Sequence, residues 1–289
     1  MIEIRLVQTH DEYRAVERLQ RIVWGHGDLD VVPDHLLITM QKNGGQVLAA
    51  FETLPGQGEP GQKEECAIGF AFGFVGLSPA GKIKHCSHMV GVDPAYQDRN
   101  VGYRLKLAQR KHVLAQGIDL IAWTFDPLES RNARLNFRKL GGTCNTYLRD
   151  VYGTMRDELN VGLPSDRFQV DWHIASTHAA DRLRADQPPP QFEALRASGT
   201  SLLNQPVTGD SPHPSRTTLP LEGDQVLIQI PARFQALKAA DMELARAWRA
   251  HTRNLFESAF AGGYTVVDLL FEAGQSYYLL QKDWTPDED

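Results

Sequence analysis

The chain has 289 residues, of which 42% are hydrophobic and 23% charged, as in an ordinary globular protein. This length is enough for about two domains. The formal net charge of -6 argues against a nucleic-acid-binding protein, because such proteins gain affinity by neutralising phosphates. The uncharged segment 66–81 is shorter than the roughly 20 apolar residues of a membrane span, and the first residues lack a secretory signal pattern. We therefore expect a cytoplasmic protein without a membrane partner.

The three cysteines are Cys66, Cys86 and Cys144. Their odd number and the absence of any C-x-x-C pair predict neither a disulfide framework nor a zinc cluster. Cys86 and His88 would lie on the same face of a strand, which leaves a zinc pair as an alternative. We prefer reduced thiols and no metal.

The first 152 residues alternate between strand-like and helix-like patterns, which predicts one α/β domain over residues 1–152. Thr9 and Glu12 form a capping-box pattern at the start of the first helix. Residues 55–65 are rich in Gly and Gln and predict a loop. The predicted elements, in chain order, are a strand at 2–7, a helix from about 10, a short helix from 33, strands at 46–52, 67–73 and 83–92, a helix at 101–116, a strand at 119–125, a helix at 129–140 and a strand at 145–151.

Residues 153–289 form a second region in which the pattern is looser. Residues from about 186 to 223 are rich in Ser, Thr, Gly and Pro, which predicts a surface linker. The other predicted elements are a strand at 168–174, a short polar helix, a strand at 225–230, a long helix at 233–260, strands at 264–271 and 276–281, and a frayed tail from 284. This extension could continue the sheet, cover an acceptor pocket or form a homodimer interface, and we treat it as a lid or dimerisation segment.

The most informative segment is residues 90–105, VGVDPAYQDRNVGYRL. A strand ends near Pro94, a polar turn follows, and a helix begins near Val101. The first amides of such a helix are unpaired and its dipole attracts anions, while Gly102 permits close approach to the backbone. Positive charge is contributed by Arg99, Arg104 and Lys106. The pattern predicts a phosphate or pyrophosphate cradle, with an ordinary strand-to-helix turn as the structural alternative.

With this motif the sequence resembles the GNAT acyltransferase superfamily, whose signature Q/R-x-x-G-x-G/A follows a strand ending in V-x-P. Gln97, Gly102 and the Val92-Asp93-Pro94 lead-in match the signature. Asn100 replaces the first glycine, and Asn tolerates a left-handed backbone better than other non-glycine residues. The resemblance extends over residues 2–152 in element order. It implies an α/β (α+β) fold, with a GNAT-like mixed, mostly antiparallel sheet, helices on both faces and a C-terminal α/β extension.

The resemblance also implies an acyl-CoA co-substrate, acetyl-CoA by default and succinyl or another acyl group as alternatives. The pyrophosphate would lie on the turn 97–102, and the pantetheine arm beside the strand 89–92. A splay between that strand and the strand 121–124 would admit the thioester, whose carbonyl the backbone amides near Val90 would polarise. The cofactor-binding residues implied in this way are Val90, Val92, Gln97, Arg99, Asn100, Val101, Gly102, Tyr103 and Asn132.

The general acid of the reaction is less obvious. Phe137 occupies the position where many relatives carry a tyrosine that protonates the departing thiolate. A thiolate is a tolerable leaving group, with a reference pKa near 8.5, so transfer can survive this loss. Tyr147, Tyr152 or Cys144 could replace the tyrosine, although packing within a strand explains each of them equally well.

The candidate general bases lie on or beside the central strands. The odd spacing of His85 and His88 places them on opposite faces of one strand, so only one of them can face a pocket. Asp126 follows the strand 121–125 and could act as a base or bind a substrate amine; capping of the next helix is its structural alternative. Glu52 is a third choice. We therefore take Asp126, His88 and Tyr147 as the catalytic candidates.

These residues predict the transfer of an acyl group from acyl-CoA to a primary amine of a small molecule, by direct attack within a ternary complex. Phe137 and Asn100 motivate an alternative, a catalytically impaired CoA-binding regulatory module. A protein-lysine acetyltransferase is a third possibility without specific support. The sequence contains no Walker loop, dinucleotide fingerprint or nucleophile elbow, which argues against kinases, dehydrogenases and serine hydrolases.

Overall fold

A computed structural model describes residues 2–25, 31–55, 63–153, 161–184, 188–205, 212–215 and 218–286. The chain divides into two compact units. Unit 1 comprises Met1–Trp123, and unit 2 comprises chiefly Thr124–Arg156 and Asn160–Asp289. The domain boundary predicted at residue 152 lies inside unit 2. No helix within the described ranges is long and apolar enough to cross a membrane.

Unit 1 is built on a mixed sheet. Strands β1 to β4 pair in order and antiparallel, and β5 pairs parallel with β4. Its elements are β1 (Ile2–Leu6), α1 (His10–Trp24), α2 (Asp34–Lys42), β2 (Gln46–Pro55), β3 (Lys63–Leu77), β4 (Ile83–Val92), α3 (Val101–Ala115) and β5 (Leu120–Phe125), whose last two residues belong to unit 2. The predicted mostly antiparallel sheet is confirmed.

Helices cover both faces of this sheet because its strands alternate apolar side chains to both sides. Val47, Ala49 and Phe51 of β2 pack in the cluster that contains α1 and α2 residues. Leu48 and Ala50, one residue out of step, pack in the cluster that contains the start of α3. The α3 face therefore has its own apolar core, which holds the beginning of that helix against the sheet.

The start of α1 follows the predicted capping box. The Thr9 hydroxyl accepts from the Glu12 amide at 3.3 Å, and the Glu12 carboxylate accepts from the Thr9 amide at 3.1 Å. The helix ends at Gly25, whose φ of 63° is left-handed. A left-handed glycine is a frequent helix terminator because it carries no Cβ.

Unit 2 contains a second sheet region with the strand order β7-β6-β10-β11-β9-β8. Its pairs are antiparallel except for β8 with β9. Its elements are α4 (Ser130–Ala133), β6 (Thr143–Leu148), β7 (Arg167–His173), α5 (Thr177–Arg182), α6 (Phe192–Ala197), β8 (Ser201–Leu202), β9 (Gln225–Ile230), α7 (Phe234–Ala240), α8 (Met242–Ala261), β10 (Tyr264–Glu272) and β11 (Gln275–Lys282). Because Val266 pairs with Cys144, the C-terminal extension continues the sheet that β6 and β7 begin.

Two of the predicted helices are each divided into two segments in the structure. The helix predicted at 129–140 is α-helical only over Ser130–Ala133 and continues as a π-helix over Arg134–Lys139. The helix predicted at 233–260 is two helices, because Asp241 is extended, with φ -150°, and its carboxylate caps the Leu244 amide at 2.9 Å. A single Asp can stop one helix and start another, since it competes for backbone donors.

Three irregular segments also differ from expectation. The predicted linker contains α6 and β8, and within it Leu203 and Asn204 are buried; residues 206–211 and 216–217 lie outside the described part. The last residues of the predicted loop 55–65 belong to β3, which begins at Lys63, and residues 56–62 lie outside the described part of the chain. In the predicted frayed tail, the Trp284 ring lies edge-on to His178 at 5.3 Å, with residues 287–289 not described.

Candidate functional site

Strand β4 carries a β-bulge at its centre. Phe72 pairs with Met89 and Gly73 with Ser87, so His88 is an extra residue opposite β3. A bulge shifts the alternation of the strand and re-aims the side chains beyond it. Val90 and Val92 consequently pack on the α3 face of the sheet.

Strands β4 and β5 part soon after they meet. Their register pairs His85 with Ile121 and Cys86 with Ala122, and within the described residues these are the only pairs between them. From Ser87 onward β4 therefore leaves the β5 strand, as the resemblance implied. A gap between parallel neighbours exposes backbone donors and acceptors that a ligand can use.

The turn before α3 has the backbone of an anion cradle. After the 3-10 helix Pro94–Tyr96, both Asp98 and Asn100 are left-handed, with φ of 67° and 56°. Asn100 thus adopts the conformation expected at the family's glycine position. Helix α3 then begins without a side-chain cap from Asn100 and without an acidic residue in its first turn. Such a helix start favours a negatively charged ligand.

Gly102 lies in the first turn of α3 with free space beside it. A Cβ built on Gly102 would meet only the Val92 side chain, at 3.8 Å, and its φ is not left-handed. Neither packing nor backbone conformation therefore requires glycine here. The room beside the backbone is what a phosphate would need to approach the amides closely.

The three basic residues of the motif lie in different places. Arg99 is at the turn, paired with Glu52 at 3.2 Å and 4.8 Å from the centre of the Tyr96 ring. Arg104 donates to the Ile2 carbonyl at 2.8 Å. Lys106 is buried and does not add charge at the turn, which corrects the sequence-based view. Glu52, the third candidate base, is engaged by Arg99.

Lys106 instead belongs to a buried polar cluster on the α3 face. Its amine donates to Gln109 Oε1 at 2.7 Å and to Ser87 Oγ at 3.1 Å, and lies 3.7 Å from the centre of the Trp123 ring. Burial holds the pKa of the Lys106 amine well below its usual range. The sequence contained one signal for this position, since Lys106 is adjacent to Leu105 in the buried stripe of α3.

His85 lies in the same cluster. Its Nε2 is 3.3 Å from the Gln46 amide nitrogen and 3.4 Å from that of Gln109. Burial, together with the charges of Lys106 and His112, lowers the pKa of His85 to about 3. The ring is therefore neutral at neutral pH. It lies over Gly73, where a Cβ would collide with it.

His88, the bulge residue, faces away from this cluster, as the spacing predicted. Its ring lies 5.7 Å from the Phe72 ring and 5.9 Å from the Phe74 ring. The residue is exposed at the surface, and partial burial of its ring lowers the pKa of His88. A neutral imidazole beside the parting strands can accept a proton.

Asp126 lies in unit 2 and is tied to a buried arginine. Both of its carboxylate oxygens bind the Arg249 guanidinium, one at 2.9 Å, and the first also accepts from the Leu128 amide at 2.8 Å. Burial and the adjacent Asp126 charge act in opposite directions on Arg249, and the net effect raises its pKa. The Asp126 carboxylate thus forms an ion pair and closes a short turn at Leu128, whereas the N-cap residue of α4 is Glu129.

Tyr147 is likewise part of a paired network in unit 2. Its hydroxyl donates to Asp166 at 2.7 Å, and Arg253 also binds this carboxylate, at 2.7 and 2.9 Å. Burial and the Asp166 contact raise the pKa of Tyr147 above its usual value. Cys144 is buried, and burial raises the pKa of its thiol. Neither group is a ready proton donor as it stands.

The remaining candidates of unit 2 have separate surroundings. Phe137 is fully buried and packs edge-on against Phe168 and Tyr278. Asn132, expected to face the pantetheine arm, is exposed in α4. The Tyr152 hydroxyl is 2.7 Å from the Thr124 hydroxyl and its side chain is exposed.

No group of three or more His, Cys, Asp or Glu residues that could hold a metal ion occurs in the described ranges. Cys86 lies close to Gly76, and burial raises the pKa of its thiol.

Comparison with known proteins gave no matching family model and no matching curated protein. Similar solved structures include a GNAT-family protein, described as an acetyltransferase, from Desulfovibrio desulfuricans, with 15% identity over 61% of this chain and 100% of that chain, and a TM-score of 0.46. A second is the ribosomal-protein-S18-alanine N-acetyltransferase of Escherichia coli, with 15% identity over 65% of this chain and 100% of that chain, and a TM-score of 0.43. A third is the protein yncA of Salmonella typhimurium, solved with its cofactor acetyl-CoA, with 15% identity over 65% of this chain and 98% of that chain, and a TM-score of 0.43.

Proposed function

We propose that the protein is an acyl-CoA-dependent N-acyltransferase. The observation that carries this proposal is the combination, within unit 1, of two features. Strands β4 and β5 part beyond Cys86 and Ala122, and the left-handed turn at Asn100 leads into an uncapped helix with free space at Gly102. The pyrophosphate would bind the amides of this turn, and the pantetheine arm would follow β4 towards the point where the strands part.

In this proposal, the backbone near Val90 contributes to transfer. A neutral primary amine attacks the thioester carbonyl, the carbon–sulfur bond breaks, and the thiolate leaves and takes up a proton. A backbone amide beyond the bulge at His88 stabilises the developing oxyanion, which is worth several kcal/mol in a site that excludes water. His88, neutral and partly exposed, takes the proton from the amine. The acceptor we propose is the amine of a small molecule.

A second function is favoured by a specific observation, the engagement of the other acid–base candidates. Asp126 is bound by Arg249, Tyr147 donates to Asp166, and Cys144 is buried. This leaves His88 as the candidate closest to the parting strands. A protein that binds acyl-CoA without turning it over, as a regulatory module, would have this arrangement.

Calorimetric titration tests the binding step. Purified protein is titrated with CoA, acetyl-CoA, succinyl-CoA and, as a nucleotide control, NADH, and the titrations are repeated with Gly102→Glu, whose carboxylate should repel the pyrophosphate. We expect binding of CoA species and not of NADH, with the affinity reduced by about 100-fold or more in the variant. Absence of CoA binding by the wild-type protein would refute both functions.

Turnover separates the two functions. Protein that binds acyl-CoA is incubated with a library of primary amines, and release of free thiol is followed. Thiol release that depends on an amine, and that falls at least tenfold in His88→Ala with CoA affinity retained, supports the enzyme. Tight binding without thiol release for any amine supports the regulatory module.

A further inference from the structure

A cavity of about 320 Å³ lies in unit 2, against the strands β10, β11 and β9. It is partly open to solvent, and residues of α5 and α6 and the side chains of Pro188, Pro190 and Trp284 complete its walls. Small-molecule sites commonly have volumes of about 300–1,000 Å³. The cavity is therefore large enough for a compact ligand.

A β-bulge in β10 directs two consecutive side chains into this cavity. Val266 pairs with Leu280 and Asp268 with Leu279, so Val267 is an extra residue opposite β11. Consecutive residues of a regular strand face opposite sides of the sheet, and a bulge changes this alternation. As a result, Val267 and Asp268 both line the cavity, and a buried carboxylate lies at its wall.

Arg182, at the end of α5, is positioned at the same wall. Its guanidinium lies 2.9 Å from Asp268 Oδ2, and that of Arg138 lies 3.2 Å from the same oxygen. The stem of Arg182 packs on Gly141, where a Cβ would lie 2.9 Å from Arg182 Cγ. Gly141 also has a left-handed φ of 72°, so both the backbone and the packing require glycine there. The ion pair and this close contact together fix the orientation of Arg182.

The Arg182 guanidinium has donors for a further acceptor. In the described part of the chain its one ion pair is with Asp268, whose carboxylate also binds Arg138. A guanidinium carries five N–H donors in a planar fork that matches a carboxylate. The Arg182 side chain is 16% exposed, so water has limited access to the remaining donors. Gln225 and Gln281 contribute side-chain amides to the same cavity. A carboxylate is the ligand group that best complements this set.

Another part of the lining is apolar. Val267 and Leu279 belong to a buried hydrophobic cluster, against which Leu195 and Trp284 pack. The Trp284 ring lies edge-on to the His178 ring, with 5.3 Å between their centres. Aromatic ligand groups pack favourably against an indole ring held in this way. The cavity thus combines a fixed guanidinium with an aromatic and aliphatic surface.

We propose that this cavity is a binding site for a small aromatic carboxylic acid, whose carboxylate pairs with Arg182 and whose ring packs against Trp284. Asp268 is a positioning residue, because it orients the guanidinium that binds the ligand. The inference uses residues of unit 2 only and does not rest on the proposed function.

Calorimetric titration with phenylacetate and with its uncharged analogue phenylacetamide tests the requirement for a carboxylate. Arg182→Met removes the guanidinium and leaves Asp268 paired with Arg138, and Arg184→Met, in the exposed pair with Asp181, is the matched control. We expect the wild type and Arg184→Met to bind phenylacetate at least tenfold more tightly than phenylacetamide, and this ratio to fall to about one in Arg182→Met. Acetate, which lacks the ring, should bind the wild type at least tenfold more weakly than phenylacetate.

The inference is overturned if the wild type does not bind phenylacetate at about 10 mM, or if it binds the amide as tightly as the acid. A ratio that persists in Arg182→Met would show that another group binds the carboxylate. If Arg182→Met does not fold by circular dichroism, Trp284→Ala, beyond the last strand, replaces it. That variant should bind phenylacetate at least tenfold more weakly than the wild type, and an unchanged affinity would show that the ring does not bind here.

Discussion

The two units bury their ionisable side chains in opposite ways. In unit 2, acids are held by arginines, as for the half-buried Asp126 with the buried Arg249 and the buried Asp166 with Arg253. In unit 1, the buried His85 ring contacts the side-chain amides of Gln46 and Gln109. Each partner of an ion pair stabilises the charge of the other, whereas burial among amides favours the neutral form of an imidazole. The first arrangement therefore has a structural role, and the second makes the stability of the protein depend on pH.

Buried Asp268 is a third example of the first arrangement. It contacts Arg138 at 3.2 Å and Arg182 at 2.9 Å. Two arginines on one carboxylate hold it in place as a buried ion-pair network.

The largest effect should come from breaking a pair in unit 2. Arg249→Met leaves the half-buried Asp126 carboxylate opposite an apolar chain, and we expect the free energy of unfolding to fall by about 3 kcal/mol. Urea denaturation at neutral pH measures it. Arg246→Met, in the exposed pair with Glu243, is the control and should cost less than about 1 kcal/mol. Equal effects for the two variants would contradict the structural role of the buried pair.

The next-largest effect is the pH dependence of the free energy of unfolding that His85 in unit 1 causes. The pKa of His85 is about 3 in the folded protein and about 6.5 when unfolded, so between these values only the unfolded state binds the proton. Stability should therefore fall as the pH decreases below 6.5, by about 2 kcal/mol between pH 7.5 and 5.0 for this group alone. Lys106 and His112 are the other charged groups that act on it.

His85→Gln should remove this part of the pH dependence, whereas His35→Gln, an exposed position on α2, should retain it. The free energy of unfolding is measured at the two pH values for both variants. The difference between the variants separates the contribution of His85 from that of the other titrating groups. If His85→Gln lost as much stability on acidification as the wild type, the ring would not be held neutral in the folded protein.

A smaller change in stability is expected for a substitution at Gly102, which should stabilise the fold and weaken CoA binding. Gly102→Ala should stabilise the protein by up to about 1 kcal/mol, because alanine is the better helix former and the added Cβ meets only Val92. The same methyl group should obstruct a phosphate and weaken CoA binding by about tenfold. Thermal unfolding and calorimetry measure the two quantities, and a variant that gained stability without losing affinity would show that no phosphate approaches this residue.

Local patterns predicted those features that neighbouring residues determine. The capping box at Thr9 and the helix start after Asn100 depend on atoms within a few residues, and both could be predicted. The break at Asp241 could not, because Asp is acceptable on the surface of a long helix as well as at a cap. The π-helical turn after α4 likewise leaves no distinctive local pattern.

The candidate site was predictable in its backbone and not in its side-chain partners. The bulge at His88 and the burial of Lys106 depend on how β3, β4 and α3 pack together. The pairing of Asp126 with Arg249 joins residues 123 positions apart. Long-range contacts of this kind carry no local signal, so a residue such as Asp126 resembles a free base until its partner is known.

The most direct test of the central claim compares two ligands that differ in the pyrophosphate. If the turn before α3 binds this group, CoA should bind the wild-type protein at least 100-fold more tightly than pantetheine, which lacks it, and the difference should shrink by about tenfold in Gly102→Ala. Calorimetric titration of both ligands with both proteins measures these ratios. Pantetheine binding as tightly as CoA, or binding of neither ligand, would contradict the assignment of this turn as a pyrophosphate site.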